Sequence, residues 1–392
     1  MLFWEILFIA SCSIAFYNYA GYALIIWLLN KFKKSSPPPE IKTYLPSVSF
    51  IVAAYNEEDF IQKKIENSLE QDYPRELIEF IFITDGSTDN TAGIISRYPP
   101  IQLMHEPARR GKSAAINRAV QAASNDILIF SDANTMLNKG ATAYIARHYH
   151  HPRIGGVAGE KKVVDDAGSA DGVGVGEGLY WKYESTLKKL DSDFYSVVGA
   201  AGELFSLRRE LYEPIPDNII LDDFVISIKA AQKGYRIVYE PQAYAMESPS
   251  FSLGDEKKRK VRIAAGGFQA IGIFSSLLYF WKQPKLSFLY ISHRLLRWTL
   301  SPLCFILAFV SNAMLCIGSG GPVYQFLFAI QLLFYCMAIL GFTPRGSKLK
   351  AFKLPYYFTF MNLAVVLGFF RFIRGRQSAV WEKAKRSQPN TA

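Results

Sequence analysis

The sequence predicts an α/β domain with a mostly parallel sheet, flanked by transmembrane helices. The apolar residues of the 392-residue chain are concentrated at its two ends, where they form long runs. Between residues 46 and 255, short buried strands alternate with helices, which is typical of a parallel sheet covered on both faces. Polar residues follow directly after several of these strands, at the place where open α/β sheets bind ligands.

The first 30 residues form an apolar run that is long enough to cross a bilayer as a helix. Lys31, Lys33 and Lys34 come after this run, whereas a cleaved signal peptide carries its positive charge before a shorter apolar core. The positive-inside rule then places the following domain in the cytoplasm, and we expect an integral protein of the cell inner membrane. Residues 31–45 contain three consecutive prolines and are predicted to form a stiff linker.

Three segments follow the predicted α/β domain of residues 46–255. Residues 256–284 are basic at first and apolar later, which predicts an amphipathic helix in the membrane interface. Residues 285–374 are predicted to be a transmembrane region, and residues 375–392 a basic tail. The transmembrane region contains three apolar runs, near Trp298–Ile317, Val323–Phe342 and Tyr356–Phe370. The third run is short and has basic segments on both sides, so a spanning, a re-entrant and an interfacial arrangement all stay open.

The net charge of +10 does not indicate a nucleic-acid partner, because the basic residues lie beside the apolar runs, as expected at the cytoplasmic surface of a membrane. The four cysteines also lie in apolar runs and form no Cys-x-x-Cys pair: Cys12, Cys304, Cys316 and Cys336. This placement argues against a disulfide framework or a zinc site. We expect contact with a lipid bilayer and none with nucleic acid.

The clearest candidate for a ligand site follows the predicted strand Ile78–Thr84. Asp85 comes at the carboxyl end of this strand, and a run of Gly, Ser, Thr, Asp and Asn residues follows it. Such a run is typical of turns and helix caps, so an ordinary strand-to-helix turn is the alternative interpretation. Within the run, Asp89 is predicted to help start the next helix, Thr91–Arg97, rather than to bind a ligand.

Two further strands end in polar residues of this kind. Val48–Ala54 leads into Tyr55–Glu57, where we predict the start of a helix that runs to Leu69. The strand Asp126–Phe130 leads into Ser131–Asn134. Because the carboxyl ends of parallel strands meet at one edge of a sheet, we expect these polar residues to converge on one crevice.

The second half of the predicted domain is less regular. Residues 155–196 are rich in glycine and poorly periodic at first, which predicts an irregular functional loop, with a helix from Tyr180 to Leu190. Another helix is predicted to begin at Leu221 and to end at Gly234, and a last strand to cover Ile237–Tyr239.

Five motifs in this region, taken together, resemble the family 2 glycosyltransferases in order and in spacing. They are Val52–Glu58, Asp85–Asp89, Gly111-Lys112, Ser131–Asn134 and Asp222-Asp223. The resemblance covers residues 48 to about 270, and the membrane arrangement is similar to that of hyaluronan, cellulose and poly-N-acetylglucosamine synthases. It implies the Rossmann-like GT-A fold and the transfer of a sugar from a UDP-sugar to a growing polysaccharide or a lipid-linked acceptor.

The resemblance also implies how the donor is held. The residues expected to bind the nucleotide sugar are Ala54, Tyr55, Asn56, Glu57, Asp85, Lys112, Asp132, Arg259 and Arg262. Asp132 lies where the family has its Asp-x-Asp metal motif, so Asp132 and Asn134 are expected to hold Mg²⁺ or Mn²⁺ at the diphosphate. Asn134 replaces the second acid of that motif and offers an oxygen without a charge, so we expect weaker metal binding or help from another residue. An Asx turn at the strand end is the alternative.

The resemblance further implies the catalytic residues. Asp223 corresponds to the last acid of the family's Glu-Asp motif and is predicted to be the general base, with Asp222 beside it. Removal of the acceptor's proton by Asp223 during a single displacement would invert the anomeric carbon. The alternative, that both acids cap a helix, is compatible with catalysis. Glu203 is a tentative acceptor contact.

One motif departs from the pattern of the processive synthases. Arg259 and Arg262 fall where those enzymes carry Gln-x-x-Arg-Trp. The tryptophan of that motif resembles a platform for the acceptor sugar, and Ile263 stands in its place here. This loss favours the transfer of one or a few sugars to a lipid-linked acceptor over the synthesis of long chains. A basic helix that faces the membrane is the competing interpretation of the two arginines. A non-catalytic membrane scaffold is the alternative of a different class, and the retained acids argue against it.

Overall fold

The computed structural model describes residues 1–33, 44–163, 173–248, 253–318, 321–343, 346 and 349–375. Most of the predicted linker, residues 31–45, and nearly all of the predicted basic tail, residues 375–392, lie outside the described residues. The chain divides into two compact units. The sheet unit comprises the described residues of Lys33–Val164 and Glu184–Phe251, and the helical unit those of Met1–Phe32, Asp165–Tyr183 and Ser252–Gly375.

The described part of the sheet unit contains one eight-stranded sheet. Its strands are β1 (Val48–Ala54), β2 (Ile78–Asp85), β3 (Ile101–Glu106), β4 (Ile127–Asp132), β5 (Met136–Leu137), β6 (Ile154–Val163), β7 (Leu204–Arg208) and β8 (Arg236–Glu247). They are ordered β3-β2-β1-β4-β7-β6-β8-β5. The first four strands of this order are mutually parallel, as are β6 and β8, whereas β7 is antiparallel to both of its neighbours and β5 is antiparallel to β8. The predicted mostly parallel α/β sheet is confirmed.

The described helices of both units are as follows. They are α1 (Leu2–Phe16), α2 (Tyr22–Lys31), α3 (Ile61–Leu69), α4 (Thr91–Ile95), α5 (Lys112–Ala122), α6 (Ala141–Ala146), α7 (Val173–Phe194), α8 (Asp222–Gln232), α9 (Leu253–Ile273), α10 (Pro284–Tyr290), α11 (Leu296–Trp298), α12 (Leu300–Ile317), α13 (Gly321–Gly341) and α14 (Lys350–Ile373). A π-helical turn, Tyr17–Gly21, joins α1 to α2.

The position of β1 creates the crevice in which the site lies. From β1 the chain proceeds to β2 and β3 on one side and then returns to β4 on the other side. Every residue of β1 is buried, as is expected for a parallel strand covered on both faces. The carboxyl ends of β1 and β4 therefore flank a topological switch point, where sheets of this kind bind ligands.

The helix predicted to begin at Tyr55 begins instead at Ile61. Asn56 has a φ of 53°, which is outside the helical region. Its backbone N–H donates a hydrogen bond to Ser87 Oγ, on the loop after β2. The start of the helix was predicted wrongly because this contact involves a segment distant in sequence, which no local pattern reveals.

The irregular loop predicted over residues 155–196 is also wrong, because β6 and α7 occupy most of the described residues in this range. Glycines obscured the strand pattern of β6, but they have a packing role there. A Cβ atom at Gly156 would lie 2.7 Å from the carbonyl oxygen of Ser206 on the neighbouring strand β7. Glycine is therefore required by the close approach of two strands.

Four described helical segments are long and apolar enough to cross a membrane, judged by length and composition. They are Leu2–Lys31, Leu300–Ile317, Gly321–Gly341 and Ala351–Ile373. The last of them contains the third apolar run. This run belongs to the 24-residue helix α14, which is long enough to span.

The amphipathic helix predicted over residues 256–284 differs in extent and surroundings. Helix α9 begins at Leu253 and ends at Ile273, and a new helix begins at Pro284. One face of α9 packs against α14, where the ring centroids of Phe268 and Phe369 lie 5.1 Å apart. This part of the chain therefore has two helices and a buried face where the sequence predicted one interfacial helix.

Candidate active site

The loops after β1 and β2 are joined by hydrogen bonds between their side chains and backbone. Asn56 Oδ1 accepts a hydrogen bond of 2.8 Å from the backbone N–H of Thr88. The N–H of Glu57 donates to Thr91 Oγ1 over 2.8 Å. Asp89 accepts from the N–H of Thr91 at the start of α4, which agrees with its predicted role in beginning that helix. Three of the predicted binding residues, Ala54, Tyr55 and Asp85, adjoin this network on β1, just after it and at the end of β2.

Asp85 is only 1% exposed, and its carboxylate is surrounded by donors from the protein. It accepts hydrogen bonds from the backbone N–H of Arg110 at 3.2 Å and of Gly111 at 2.6 Å. Arg118 Nη2 lies 3.3 Å from the same carboxylate. Asp85 therefore fixes the loop that precedes α5. Direct contact between Asp85 and a nucleotide stays a prediction.

Arg109, on the same loop, forms a stacked pair with Tyr55. The guanidinium carbon of Arg109 lies 3.8 Å from the centroid of the Tyr55 ring, which is the distance of a cation–π contact. Arg109 is exposed and Tyr55 is half-buried. The pair presents a flat, positively charged surface beside the crevice. Neither Arg109 nor Arg118 was predicted as a site residue, because neither belongs to a recognised motif and only the fold brings them to a ring and a carboxylate.

Lys112, the first residue of α5, lies among acids from the end of β4 and the start of α8. Its Nζ is 2.7 Å from Asp132 Oδ1 and 3.8 Å from Asp222 Oδ2. Burial by itself lowers the pKa of Lys112, but the carboxylates of Asp132, Asp222 and Asp223 outweigh burial and raise it. Lys112 is therefore a permanent cation, and it brings together the predicted metal ligand Asp132 and the predicted catalytic pair.

Asp223 lies in the first turn of α8, where its Oδ1 accepts a hydrogen bond of 2.8 Å from the N–H of Phe224. Burial, and after it the neighbouring carboxylate of Asp222, raise the pKa of Asp223 to about 7, although Lys112 and the N–H of Phe224 act in the opposite direction. A carboxylate of this basicity is suited to accept a proton near neutral pH. Both Asp222 and Asp223 thus begin a helix, as the alternative interpretation holds, and the pKa of Asp223 is also raised towards neutrality.

Gly202 lies behind Lys112 and Asp223 and forms a wall of the crevice there. A Cβ atom on Gly202 would lie 3.2 Å from Asp223 Oδ2 and 3.2 Å from Lys112 Nζ. The absence of a side chain therefore allows the carboxylate and the ammonium to share this space.

The donor atoms near Lys112 are compatible with a divalent cation completed by ligands from a substrate. Asp132 and the half-buried Asn134 lie on one turn, and the buried Asp222 Oδ2 has no hydrogen-bond partner within the described chain. Across the described residues there is no cluster of three or more His, Cys, Asp or Glu side chains that could hold a metal unaided. Mg²⁺ is commonly held by one or two carboxylates and by phosphate oxygens, and this set of residues meets that pattern.

Glu203, the tentative acceptor contact, is paired with a buried lysine. Lys161 Nζ lies 2.7 Å from Glu203 Oε1 and also forms an ion pair with Glu247. Burial alone would raise the pKa of Glu203, but Lys161 dominates and lowers it below its usual range. Glu203 is therefore an anion held in place by Lys161, next to Gly202 in the chain.

Arg259 and Arg262 lie on α9 in the helical unit, not on the sheet unit. The Nε of Arg259 is 3.0 Å from Glu256 Oε2, one turn earlier on the same helix. Their predicted contact with the nucleotide sugar stays a prediction.

The switch-point crevice thus brings together the half-buried Lys112, Asp132 and the paired carboxyls of Asp222 and Asp223, of which Asp223 has its pKa raised to about 7. Residues 49–215 match the family model described as Glycosyl transferase family 2. This match agrees with the predicted resemblance of this segment to the family 2 glycosyltransferases, and the mixed sheet agrees with the predicted GT-A fold.

The chain is similar in sequence to curated poly-beta-1,6-N-acetyl-D-glucosamine synthases. It is 28% identical to that of Staphylococcus aureus (strain MSSA476) over 239 residues, which cover 58% of this chain and 56% of the relative. It is 26% identical to that of Staphylococcus epidermidis over 231 residues, which cover 57% of this chain and 55% of the relative. The match thus spans little more than half the length of these relatives.

A solved structure shares the fold over almost the whole chain. It is the mannosyltransferase PcManGT from Pyrobaculum calidifontis, in complex with GDP-Man and Mn²⁺, with a TM-score of 0.73 and 22% identity. The similarity covers 95% of this chain and 99% of that one. At 22% identity, this similarity concerns the fold alone.

Proposed function

We propose that this protein is an inverting, metal-assisted glycosyltransferase that transfers one or a few sugars from a nucleoside-diphosphate sugar to a lipid-linked acceptor. The observation that carries the proposal is the group of Lys112, Asp132, Asp222 and Asp223 at the switch point, in which one carboxylate has a pKa near 7. A growing polysaccharide is the second acceptor class, because the sequence relatives are named as synthases of such a polymer.

The donor would lie across the loops that follow β1, β2 and β4. The stacked Arg109 and Tyr55 offer a flat cationic surface for a nucleobase or a phosphate. Asp85 holds the Arg110-Gly111 backbone that leads to Lys112 and so positions this cation for the diphosphate. We keep a UDP-sugar as the first candidate donor. GDP-mannose is the second, because the structural neighbour was solved with it.

Asp223 would perform the proton transfer. With a pKa near 7 its carboxylate accepts the proton of the acceptor hydroxyl as the hydroxyl oxygen attacks the anomeric carbon. The bond to the diphosphate breaks on the opposite face, so that the anomeric carbon is inverted. The positive charge of Lys112 stabilises the negative charge that develops on the departing diphosphate.

Asp132 and Asn134 would hold Mg²⁺ or Mn²⁺, which when bound offsets further charge on the diphosphate. Asp222 maintains the raised pKa of Asp223 and faces Lys112. The Lys161–Glu203 pair lies beside the Gly202 wall and is the nearest candidate for an acceptor contact. We further propose that the sheet unit faces the cytoplasm of the cell inner membrane, because Lys31 and Lys33 follow the first apolar segment.

The decisive experiment measures nucleotide release by the purified full chain with Mn²⁺ or Mg²⁺. The donors are UDP-N-acetylglucosamine, UDP-glucose and GDP-mannose, each with and without a polyprenyl-phosphate acceptor. We expect one donor to release its nucleotide, and we expect Asp223→Asn to slow release by about 10²–10⁴-fold, the usual contribution of a general base.

The matched control is Asp217→Asn, which changes an exposed aspartate in the segment before α8 and should leave the rate unchanged. If Asp223→Asn matches the wild type, the assigned base is wrong. If the wild type binds nucleotide sugars but releases nothing from any donor, the non-catalytic scaffold is favoured instead. Sizing of the products by mass spectrometry distinguishes single additions from long chains.

A further inference from the structure

Lys64 is a fully buried lysine that no part of the proposed chemistry uses. It lies on α3 and is 0% exposed. Its Nζ donates a hydrogen bond of 2.6 Å to Ser131 Oγ and one of 2.9 Å to the carbonyl oxygen of Thr135. Both bonds cross more than 60 residues of sequence, so they form only when α3 packs beneath the end of β4.

The two acceptors stand on either side of the turn that carries Asp132 and Asn134. Ser131 precedes this turn and Thr135 follows it, so the ammonium of Lys64 ties its two ends together. Within the turn, Thr135 Oγ1 also donates to the carbonyl oxygen of Asp132 over 3.0 Å. The shape of the turn is therefore fixed from below by one side chain.

The same contacts connect this turn to the other wall of the site. Ser131 Oγ, which accepts from Lys64, donates in turn to the carbonyl oxygen of Glu203 over 3.1 Å. Glu203 follows Gly202, the wall behind Lys112 and Asp223. A continuous chain of hydrogen bonds thus runs from Lys64 through Ser131 to the loop beside the base.

Burial of a lysine at this position costs stability, because removal of its charge from water is strongly unfavourable. Burial lowers the pKa of Lys64 to about 7, although Asp132 opposes the shift. A methionine would fill a similar volume without that cost. What the amine offers and a methionine does not is two directed hydrogen bonds to the ends of the Asp132 turn.

We propose that Lys64 is a positioning residue. It holds the Asp132–Asn134 turn at a fixed distance from the Gly202-Glu203 loop. This distance sets the position of the donor diphosphate and its metal relative to the base, Asp223. The inference rests on the proposed function of this site. Residues that orient metal ligands from behind commonly change affinity by 10–100-fold when they are replaced. Lys64 itself need not touch the substrate.

The test compares Lys64→Met with Ile65→Ala in the purified full chain. Ile65 is the next residue of α3, is 0% exposed and belongs to the apolar core, so its truncation destabilises the domain without removing a contact to the turn. We measure the thermal midpoint and, by calorimetry, the Mn²⁺-dependent affinity for UDP and for GDP.

For Lys64→Met we expect a roughly tenfold weaker Mn²⁺-dependent nucleotide affinity. In turnover assays the KM for the donor should rise more than kcat falls. For Ile65→Ala we expect a lower thermal midpoint with an unchanged affinity. Equal nucleotide affinity for Lys64→Met and the wild type would overturn the positioning role.

Ser131→Ala provides a second route, since it removes the middle of the hydrogen-bond chain with little change of volume. If Lys64 acts through Ser131, the losses of affinity for the two single variants and the double variant are non-additive, and full additivity would contradict the chain. A wild type that binds neither nucleotide with Mn²⁺ overturns both this inference and the proposed function. A wild type that binds and turns over, with Lys64→Met unaffected, overturns the inference alone.

Discussion

The strand-end loops around Asp85 and the charged group around Lys112 form two halves of one site, but they are held in different ways. In the loops, the buried carboxylate of Asp85 has matched donors: it accepts from the backbone of Arg110 and Gly111 and from Arg118. In the charged group, by contrast, three carboxylates surround the ammonium of Lys112, and the buried Asp222 Oδ2 lacks a hydrogen-bond partner within the described residues.

This difference distinguishes a structural framework, the loops around Asp85, from the charged group around Lys112, whose properties suit proton transfer. A carboxylate whose donors all come from the protein fixes the backbone around it and contributes to stability. A carboxylate crowded by another acid, as Asp223 is by Asp222, is less stable when ionised and more basic. We therefore expect replacement of residues in the loops to reduce stability, and replacement in the charged group to reduce activity.

The strongest test of this contrast is Asp223→Asn, for which activity and stability should change in opposite directions. The rate of sugar transfer should fall by about 10²–10⁴-fold, because the general base is lost. The folded protein holds the proton of Asp223 up to about pH 7, whereas an unfolded aspartate loses it near pH 4, so ionisation costs stability as the pH rises between these values. At pH 8 the thermal midpoint should therefore be higher for the variant. A large loss of stability of the variant at pH 8 would mean that Asp223, like Asp85, mainly stabilises the fold.

The pH dependence of the wild type sharpens the same assignment. Since only the ionised carboxylate accepts a proton, kcat/KM should fall about tenfold per pH unit below an apparent pKa near 7. The residual kcat/KM of Asp223→Asn should not show this fall below pH 7. If kcat/KM of the wild type falls only below about pH 4 to 5, the base is a carboxylate with an ordinary pKa.

Gly202→Ala tests whether the space shared by Lys112 and Asp223 matters. The added Cβ would lie 3.2 Å from Asp223 Oδ2 and from Lys112 Nζ, so both groups must shift by a few tenths of an ångström. We expect kcat/KM to fall roughly tenfold with little change in the thermal midpoint, because misplacement of reacting groups is costly in rate. Gly272→Ala on α9 is the control, since its Cβ meets nothing within 4 Å. An unchanged rate for Gly202→Ala would show that this wall is not tight.

Asp85→Ala should have the smallest effect on the chemical step and a clear effect on stability. It leaves the N–H of Arg110 and the buried N–H of Gly111 without their acceptor, which costs on the order of 1–3 kcal/mol. We expect the thermal midpoint to fall by several degrees and kcat to remain within a few-fold of the wild type. A loss of nucleotide affinity without loss of stability would instead support direct contact between Asp85 and the donor.

The sequence by itself determined the order of the parts. Continuous apolar strands and polar residues at their carboxyl ends predicted the parallel sheet and the loops that line its crevice, because these are local patterns of burial. The same patterns predicted the apolar helices at both ends of the chain, three of them within a few residues of their observed bounds. The five motifs then identified Asp132, Asp222 and Asp223 as candidate site residues.

Only the tertiary structure decided how these residues are partnered. The start of α3, the strand β6 and the roles of Arg109, Arg118 and Lys64 depend on contacts between segments far apart in the chain, which leave no local pattern. The raised pKa of Asp223 likewise follows from burial and from the proximity of Asp222 in the fold, which outweigh the opposing effect of Lys112. Residue type and spacing thus named the acids, but burial and distance decided that Asp85 holds the framework and that Asp223 is basic enough to act on a substrate.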